Sequence, residues 1–323
     1  MKAFQRILTV FLVLTLNFFL PRLMPGDPLS YLDNESPGSD SPLLVTEATR
    51  QKLLAYYGLD RPLGEQYVDY LRGLARGDLG WSIYYNAPVT GVLLGRMRWT
   101  LLLMGASTAI YVALGVALGV ISAWRRGSAL DGGLLVGTLA LGSAPSFFVA
   151  MLLLIVFAIR WRVFPIGGAS TPALFHARGV ARVADVAAHM ALPVTALVLT
   201  HTWGVYLTTR NAMLGALGED YARTAFAKGL RERAVVVRHV LPNALLPVVT
   251  EIALRLGATI MGAMFVEVVF AYPGMGAMIR EACLARDYPL LQGAFLATMA
   301  FIMLFNLAAD LLYSRLDPRL RAT

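Results

Sequence analysis

TLLLMGASTAIYVALGVALGVISA, residues 100–123, contains no charged side chain and lies between Arg98 and Arg125. A hydrocarbon core about 30 Å thick is crossed by roughly 20 apolar helical residues. The stretch therefore predicts a helix that spans a membrane.

Five more apolar stretches lie on either side of it, at Ile7–Leu23, Leu134–Ile159, Met190–Thr209, Leu245–Val266 and Gly293–Tyr313. The chain is 57% hydrophobic and 15% charged, whereas an average soluble domain is about 45–50% apolar and about 25% charged. This composition excludes a disordered chain. It predicts an all-α polytopic membrane protein with six transmembrane helices. No small-x-small cleavage pattern follows the first stretch, so we interpret it as a retained anchor.

The distribution of Lys and Arg predicts the orientation. With a cytoplasmic N-terminus, 13 of the 28 basic residues fall in cytoplasmic segments and six in the two short outer loops. The eight basic residues from Arg22 to Arg98 lie in a segment too long to follow the positive-inside rule. We therefore expect both termini in the cytoplasm, and we attribute the net charge of +8 to membrane topology, not to nucleic-acid binding.

Three regions are predicted along the chain. Residues 1–24 form the N-terminal transmembrane anchor, and residues 25–98 form an extracytoplasmic helical segment with helical patterns at Val45–Tyr57 and Glu65–Leu74. Residues 99–323 form a core of five transmembrane helices. That core contains the most informative loop, at residues 215–247.

The loop reads GALGEDYARTAFAKGLRERAVVVRHVLPNALLP. Glu219 and Asp220 favour a helix start, because exposed N–H groups and the helix dipole attract negative charge there. Gly229 follows Lys228 and is typical of a helix C-terminus, and Arg231 begins a second helix that Pro242 bends or ends. The pattern predicts a short helix, a tight corner and a helix that enters the membrane. It is also compatible with a solvated basic loop that obeys the positive-inside rule.

The loop resembles the EAA loop of permease subunits of ATP-binding-cassette importers, in the dipeptide, oligopeptide and nickel branch. The resemblance rests on Arg223-Thr224-Ala225, Gly229 and His239-Val240-Leu241-Pro242, although the first two letters depart from the consensus E-A-A. Further matches extend over nearly the whole chain, at residues 25–28 (PGDP), 57–62 (YGLDRP), 77–80 (GDLG), 144–147 (APSF), 266–270 (VEVVF), 273–276 (PGMG), 286–289 (RDYP) and 316–319 (LDPR).

The resemblance implies a type I importer permease fold in a bacterial or archaeal inner membrane. It implies that two ATPase subunits dock on a coupling helix, that a second permease, a non-identical paralogue, completes the pathway, and that an extracytoplasmic binding protein delivers the solute. No Gly-Lys pair, and hence no P-loop, occurs in the sequence, so ATP would be bound by partner chains and this chain would hold no cofactor. The candidate coupling residues are Asp220, Arg223, Thr224, Ala225, Phe226, Gly229, Leu230 and Arg231.

Three ionisable residues in the fifth span are candidates for the pathway or its gate, because charges inside a membrane are costly and usually functional. Glu251 and Arg255 are four residues apart and can pair on one helix face. The pair either lines the pathway or neutralises itself against a neighbouring helix. Glu267 either gates the outer end or caps local structure.

Other chemistry has weaker support. His176, His189, His201 and His239 lack a chelating spacing, so we predict no metal site. The repeats Gly115-x-x-x-Gly119 and Gly133-x-x-x-Gly137 predict close helix packing, and we expect Cys283 to be inert. The alternative functions are a secondary transporter, which would work without an ATPase, and an intramembrane serine protease with Ser143 or Ser146 near His201.

Overall fold

A computed structural model describes residues 2–24, 51–52, 54–55, 58–174 and 179–316. The predicted helix at Val45–Tyr57 lies largely outside these residues. His176, the motif at 25–28 and the last three residues of the motif at 316–319 also lie outside them. The helices are α1 (Lys2–Arg22), α2 (Leu63–Ala75), α3 (Val89–Trp124), α4 (Ala129–Ser143), α5 (Ser146–Leu153), α6 (Val180–Leu217), α7 (Asp220–Ala227), α8 (Glu232–Val235), α9 (Leu241–Val269), α10 (Met275–Ala285) and α11 (Tyr288–Leu316). Short π-helices at Leu154–Arg160 and Val236–Val240, a 3-10 turn at Pro172–Leu174, and an antiparallel pair of strands, β1 (Trp81–Ser82) and β2 (Ala87–Pro88), complete the described elements.

The six predicted spans are helical apart from Leu23, Ala144 and Pro145, which confirms the all-α fold class. Among the described residues, four helices are long and apolar enough to cross a membrane, and the count is five if a bent pair forms one span. The first predicted span is helical over Lys2–Arg22, but its described apolar part, Leu8–Arg22, is shorter than the others.

The third predicted span is a bent pair of helices, not one straight helix. Its two halves, Ala129–Ser143 and Ser146–Arg160, meet at an angle of 97°. Ala144 takes an extended conformation with ψ 135°, and Pro145 follows with φ −59°. A residue before proline is driven out of the helical region, and proline has no N–H for the ladder. The sequence Ala144-Pro145 therefore ends one helix and starts the next.

The chain divides into two compact units, one of residues 1–98 with 277–300 and one of residues 99–276 with 301–323. In the second unit, α6 packs against α4, α5 and α9. Its core contains fully buried apolar side chains, among them Leu103, Leu197, Ala263, Val266 and Tyr272. The predicted regions 1–24, 25–98 and 99–323 remain a prediction.

The first of the predicted glycine repeats lies at a close contact between α3 and α6. A Cβ atom on Gly119 would lie 2.6 Å from the Cβ of Thr209, and one on Gly115 would lie 2.7 Å from the Cβ of Val205. These two glycines let the helix backbones approach, as predicted. Gly133 and Gly137 have no neighbour within 4 Å of such an atom in the described structure.

In the first unit, Asp287 holds the β-hairpin and the start of α11 together. Its side chain is fully buried and accepts hydrogen bonds from Ser82 Oγ at 2.6 Å, from the N–H of Tyr84 at 2.9 Å and from the N–H of Leu290 at 3.1 Å. Burial raises the pKa of this carboxyl above its usual range. The matched motif at 286–289 therefore contains a structural residue. The predicted helix at Glu65–Leu74 is confirmed as α2.

Candidate functional site

The loop between α6 and α9 folds into the predicted elbow, which we define as residues 219–231. The helix α7 begins after Glu219, which is extended (φ −76°, ψ 153°), and it ends at Lys228. Gly229 has φ +74°. This backbone conformation is unfavourable for any residue that carries a Cβ atom. Arg231 is the N-cap of α8. The prediction of helix, corner and helix is confirmed.

The helical segment that follows the elbow continues past Pro242 instead of ending there. Residues 236–240 form a π-helix, and Pro242 lies in the first turn of α9. Proline leaves the carbonyl four residues before it without its helical partner, so a local change of helix register at this point is expected.

One face of α7 is anchored in the chain's own core. Ala222 is fully buried, and Ala225 is 7% exposed. Both belong to an apolar cluster with Met213, Val235 and Val240. Ala225, which we expected to help form a contact surface, therefore packs inward and positions the helix.

Three large apolar side chains of the elbow are exposed. Tyr221, Phe226 and Leu230 are 39%, 42% and 40% exposed. Arg223 and Asp220 form a loose surface ion pair at 3.6 Å. Thr224 Oγ1 donates a hydrogen bond to the backbone oxygen of Asp220 at 2.8 Å, within α7, and Arg231 is exposed.

The structure contains two polar contacts that the sequence did not predict. Trp124, the last residue of α3, donates a hydrogen bond from Nε1 to Glu232 at 2.6 Å. Arg210 of α6 donates two hydrogen bonds to Asp131 of α4, at 2.8 and 2.9 Å. Asp131 is 5% exposed and also accepts hydrogen bonds from Ser122 Oγ and from the N–H of Gly127. The only sequence signal for Asp131 was its position three residues after Ser128, a pattern typical of a helix N-terminus.

Glu251 and Arg255 pair directly on α9, as their spacing predicted. Their side chains are 26% and 27% exposed. The guanidinium of Arg255 also lies over the ring of Trp203 on α6, with 4.9 Å from Cζ to the ring centroid. A Cβ atom on Gly204 would collide with that guanidinium, so this glycine provides the space that Arg255 occupies.

Glu267 lies in a different environment near the other end of α9. It is fully buried. It accepts hydrogen bonds from Thr100 Oγ1 and from the N–H of Gly276, both at 2.6 Å. Thr100 Oγ1 in turn accepts a hydrogen bond from the N–H of Met275 at 2.8 Å. Glu267 and Thr100 together therefore satisfy N–H groups at the start of α10, which matches the capping alternative.

The remaining candidate residues form no catalytic or metal-binding group within the described part of the chain. Ser143 Oγ donates to its own helix, at Ala140 O, and His201 Nδ1 lies 2.9 Å from Leu197 O. Among the described residues, no three His, Cys, Asp or Glu side chains come close enough to hold a metal ion.

Comparison with known proteins places this geometry in a family. Residues 115–322 match the family model described as "Binding-protein-dependent transport system inner membrane component". The chain is 42% identical over 307 residues to a provisionally named peptide permease protein of Brucella suis biovar 1, and the match covers 95% of this chain and 93% of that protein.

Two further comparisons agree with this match. The chain is 34% identical over 322 residues to the dipeptide transport system permease protein DppB of Escherichia coli K12, with 95% of this chain and 93% of that protein covered. An inward-facing structure of the MetNI methionine ABC transporter shares the fold, with a TM-score of 0.57 at 14% identity, and the match covers 71% of this chain and 97% of that chain.

Proposed function

Since the chain belongs to the family of binding-protein-dependent transport system inner membrane components, we propose that it forms half of the membrane pathway through which an ATP-driven importer takes up peptides. A member of this family is a transport component, not an enzyme. The solute class is supported by the names of its relatives, which include a dipeptide transport system permease protein. Neither the secondary transporter nor the serine protease has support from these comparisons.

The elbow is the proposed coupling site, where separate ATPase subunits dock. The observation that carries this proposal is that the elbow is anchored and yet presents apolar side chains: Ala222 and Ala225 are buried in the chain's core, whereas Tyr221, Phe226 and Leu230 are exposed. Exposed apolar side chains next to charged ones are typical of a protein interface. Because α7 is anchored in the core, a displacement imposed on its exposed side chains would move α8 and α9 with it.

The rest of the assembly follows from this role. Two ATPase subunits would dock on the elbows of two permeases, the second permease being a non-identical paralogue, and an extracytoplasmic binding protein would deliver the solute. The excess of basic residues in the segments assigned to the inside supports cytoplasmic termini. Glu251 and Arg255 are proposed to line the pathway, and Glu267 is proposed to hold the start of α10.

The substitution Gly229→Val tests the coupling proposal. A β-branched residue strains the left-handed conformation at this corner, although no atom of the described residues lies within 4 Å of the added Cβ. We expect ATP-dependent uptake and solute-stimulated ATPase activity to fall at least about tenfold, which corresponds to about 1.4 kcal/mol. Membrane insertion and the yield of purified chain should stay unchanged.

Gly215→Val is the matched control, because a Cβ atom there also meets open space and Gly215 lies within α6, outside the left-handed region. It should retain uptake. Normal solute-stimulated ATPase activity in the Gly229→Val variant would contradict the coupling proposal.

The single cysteine tests the proposed orientation. Cys283 is exposed on α10. Partial burial of its thiol raises the pKa of that thiol. Labelling should therefore be done at mildly alkaline pH. We expect a membrane-impermeant maleimide to label Cys283 from the outside of intact cells, and to label a Cys283→Ser, Lys228→Cys variant only after the cells are opened. The reverse pattern would place the termini outside.

A further inference from the structure

The guanidinium of Arg255 presents an edge that the described structure leaves unused. Its Nε donates to Glu251. Among the residues that the structure describes, its two terminal nitrogens, Nη1 and Nη2, have no hydrogen-bond partner. A guanidinium has five N–H donors in a fixed plane. Within the described part of the chain, four of the five therefore have no acceptor and could bind another group.

The location makes these free donors significant. Arg255 lies well inside the helix Leu241–Val269, and 27% of its side chain is exposed. A charge that faces lipid near the middle of a membrane is costly, so such side chains face the bundle interior or a water-filled cavity. The exposed part of the Arg255 side chain therefore faces an aqueous route or another chain, not the lipid.

The surroundings hold the guanidinium in one orientation. Trp203 lies under one face at 4.9 Å, Glu251 binds Nε, and Gly204 leaves room for the group. Stacking on an aromatic ring and pairing at Nε restrict the side chain without occupying the edge formed by Nη1 and Nη2. A planar edge presented in this way matches a carboxylate, which accepts two parallel hydrogen bonds.

We propose that the terminal edge of Arg255, supported by Trp203 and Glu251, binds the C-terminal carboxylate of a peptide as it passes through the pathway. Arg255 is then a specificity residue that favours solutes with a free carboxylate. The proposal rests on the function proposed above. Glu251 neutralises the net charge of the site, so binding is weak enough for the solute to leave, as conduction through a pathway requires.

The test uses the whole importer in proteoliposomes, with its two permeases, its ATPases and saturating binding protein. The probes are radiolabelled alanyl-alanine and its C-terminal amide. Because the binding protein is the same in every sample, the ratio of variant to wild-type uptake for each probe isolates the contribution of the permease.

Arg255→Gln should lower uptake of the free acid about tenfold, as expected for one charge-assisted hydrogen-bonded contact, and lower uptake of the amide less than about twofold. Arg255→Lys keeps the charge and the pair with Glu251 but lacks the planar edge. It should also lower uptake of the free acid more than uptake of the amide, but by a smaller factor. Thr250→Val, on the same helix, is the control and should show no difference.

Two results would overturn the inference. One is an equal fall in uptake of both probes in both Arg255 variants. The other is loss of the second permease on purification of these variants, which would assign the edge to a subunit contact. If the wild-type importer showed no ATP-dependent uptake of either probe, the proposed function would fail instead, and the two failures are therefore distinguishable.

Discussion

Glu251 and Glu267 are two glutamates on one helix, and the structure gives them opposite environments. Glu267 is fully buried and accepts hydrogen bonds from a hydroxyl and a backbone N–H. Glu251 is 26% exposed and pairs with Arg255 on its own helix. A carboxylate with buried partners fixes the start of the next helix, whereas a carboxylate with one partner can change its contacts as a solute passes.

The comparison assigns a structural role to one glutamate of α9 and a transport role to the other. Removing one partner from a buried set leaves the others without a hydrogen bond, and each such group costs about 1–3 kcal/mol. In a partly exposed pair, water can replace the lost partner. Stability should therefore depend on Glu267, and transport should depend on Glu251.

Glu267→Ala should produce the largest loss of stability. It leaves Thr100 Oγ1 and the N–H of Gly276 without their acceptor and opens a cavity, and we expect a loss of about 3–5 kcal/mol. Thermal unfolding of the purified chain in detergent measures this change. Glu251→Ala is the matched control on the same helix, and an equal loss in the two variants would remove the distinction drawn above.

Asp131→Asn tests whether the distinction extends to ion pairs. In the pair of Asp131 with Arg210 the side chains are 7% and 16% exposed and share two hydrogen bonds, whereas the pair of Glu251 with Arg255 is a quarter exposed. Leaving a buried charge without its partner costs about 3 kcal/mol. A double-mutant cycle with Arg210→Gln should give a larger coupling energy than the cycle of Glu251→Gln with Arg255→Gln. Equal coupling energies would contradict the prediction.

Glu251→Gln should change stability by about 1 kcal/mol or less, because the pair is partly solvated. Its effect on uptake should be greater, since the substitution leaves Arg255 with an uncompensated charge that retains a bound carboxylate. We expect the free dipeptide to show a lower maximal rate together with a lower half-saturating concentration. An unchanged rate with a large fall in unfolding temperature would assign the pair a structural role only.

The sequence predicted what depends on neighbouring residues. The elbow was predicted because Asp220, Gly229 and Arg231 act within one or two helical turns, and the pair of Glu251 with Arg255 was predicted from helical spacing. Side-chain exposure depends on tertiary packing, so the inward position of Ala225 could not be predicted from the pattern.

Contacts between distant residues were missed for the same reason. Asp131 and Arg210 meet only because α4 packs against α6, and no spacing in the sequence encodes that pairing. Trp203 meets Arg255 in the same way, through the contact between α6 and α9. The bend at Pro145 was missed because an apolar run of this length predicts one straight span, although the residue before proline already disfavours helix.

The smallest predicted effect concerns a fourth carboxylate, Asp287, which is buried like Glu267 but lies between α10 and α11. Burial raises its pKa, so the folded chain holds this proton more tightly than the unfolded chain does. Its contribution to stability is therefore fully present below the usual Asp pKa of about 3.9 and is lost as the pH rises through the raised value. We expect the wild-type chain to lose stability relative to an Asp287→Asn variant as the pH rises from about 4.

Unfolding temperatures measured in detergent over a pH series test this. Asp69→Asn, which removes an exposed carboxylate paired with Arg61 and Arg72, is the control for the loss of a carboxylate that is not buried. A gain in wild-type stability relative to Asp287→Asn with rising pH would mean that the hydrogen bonds from Ser82 and Tyr84 outweigh burial at this site.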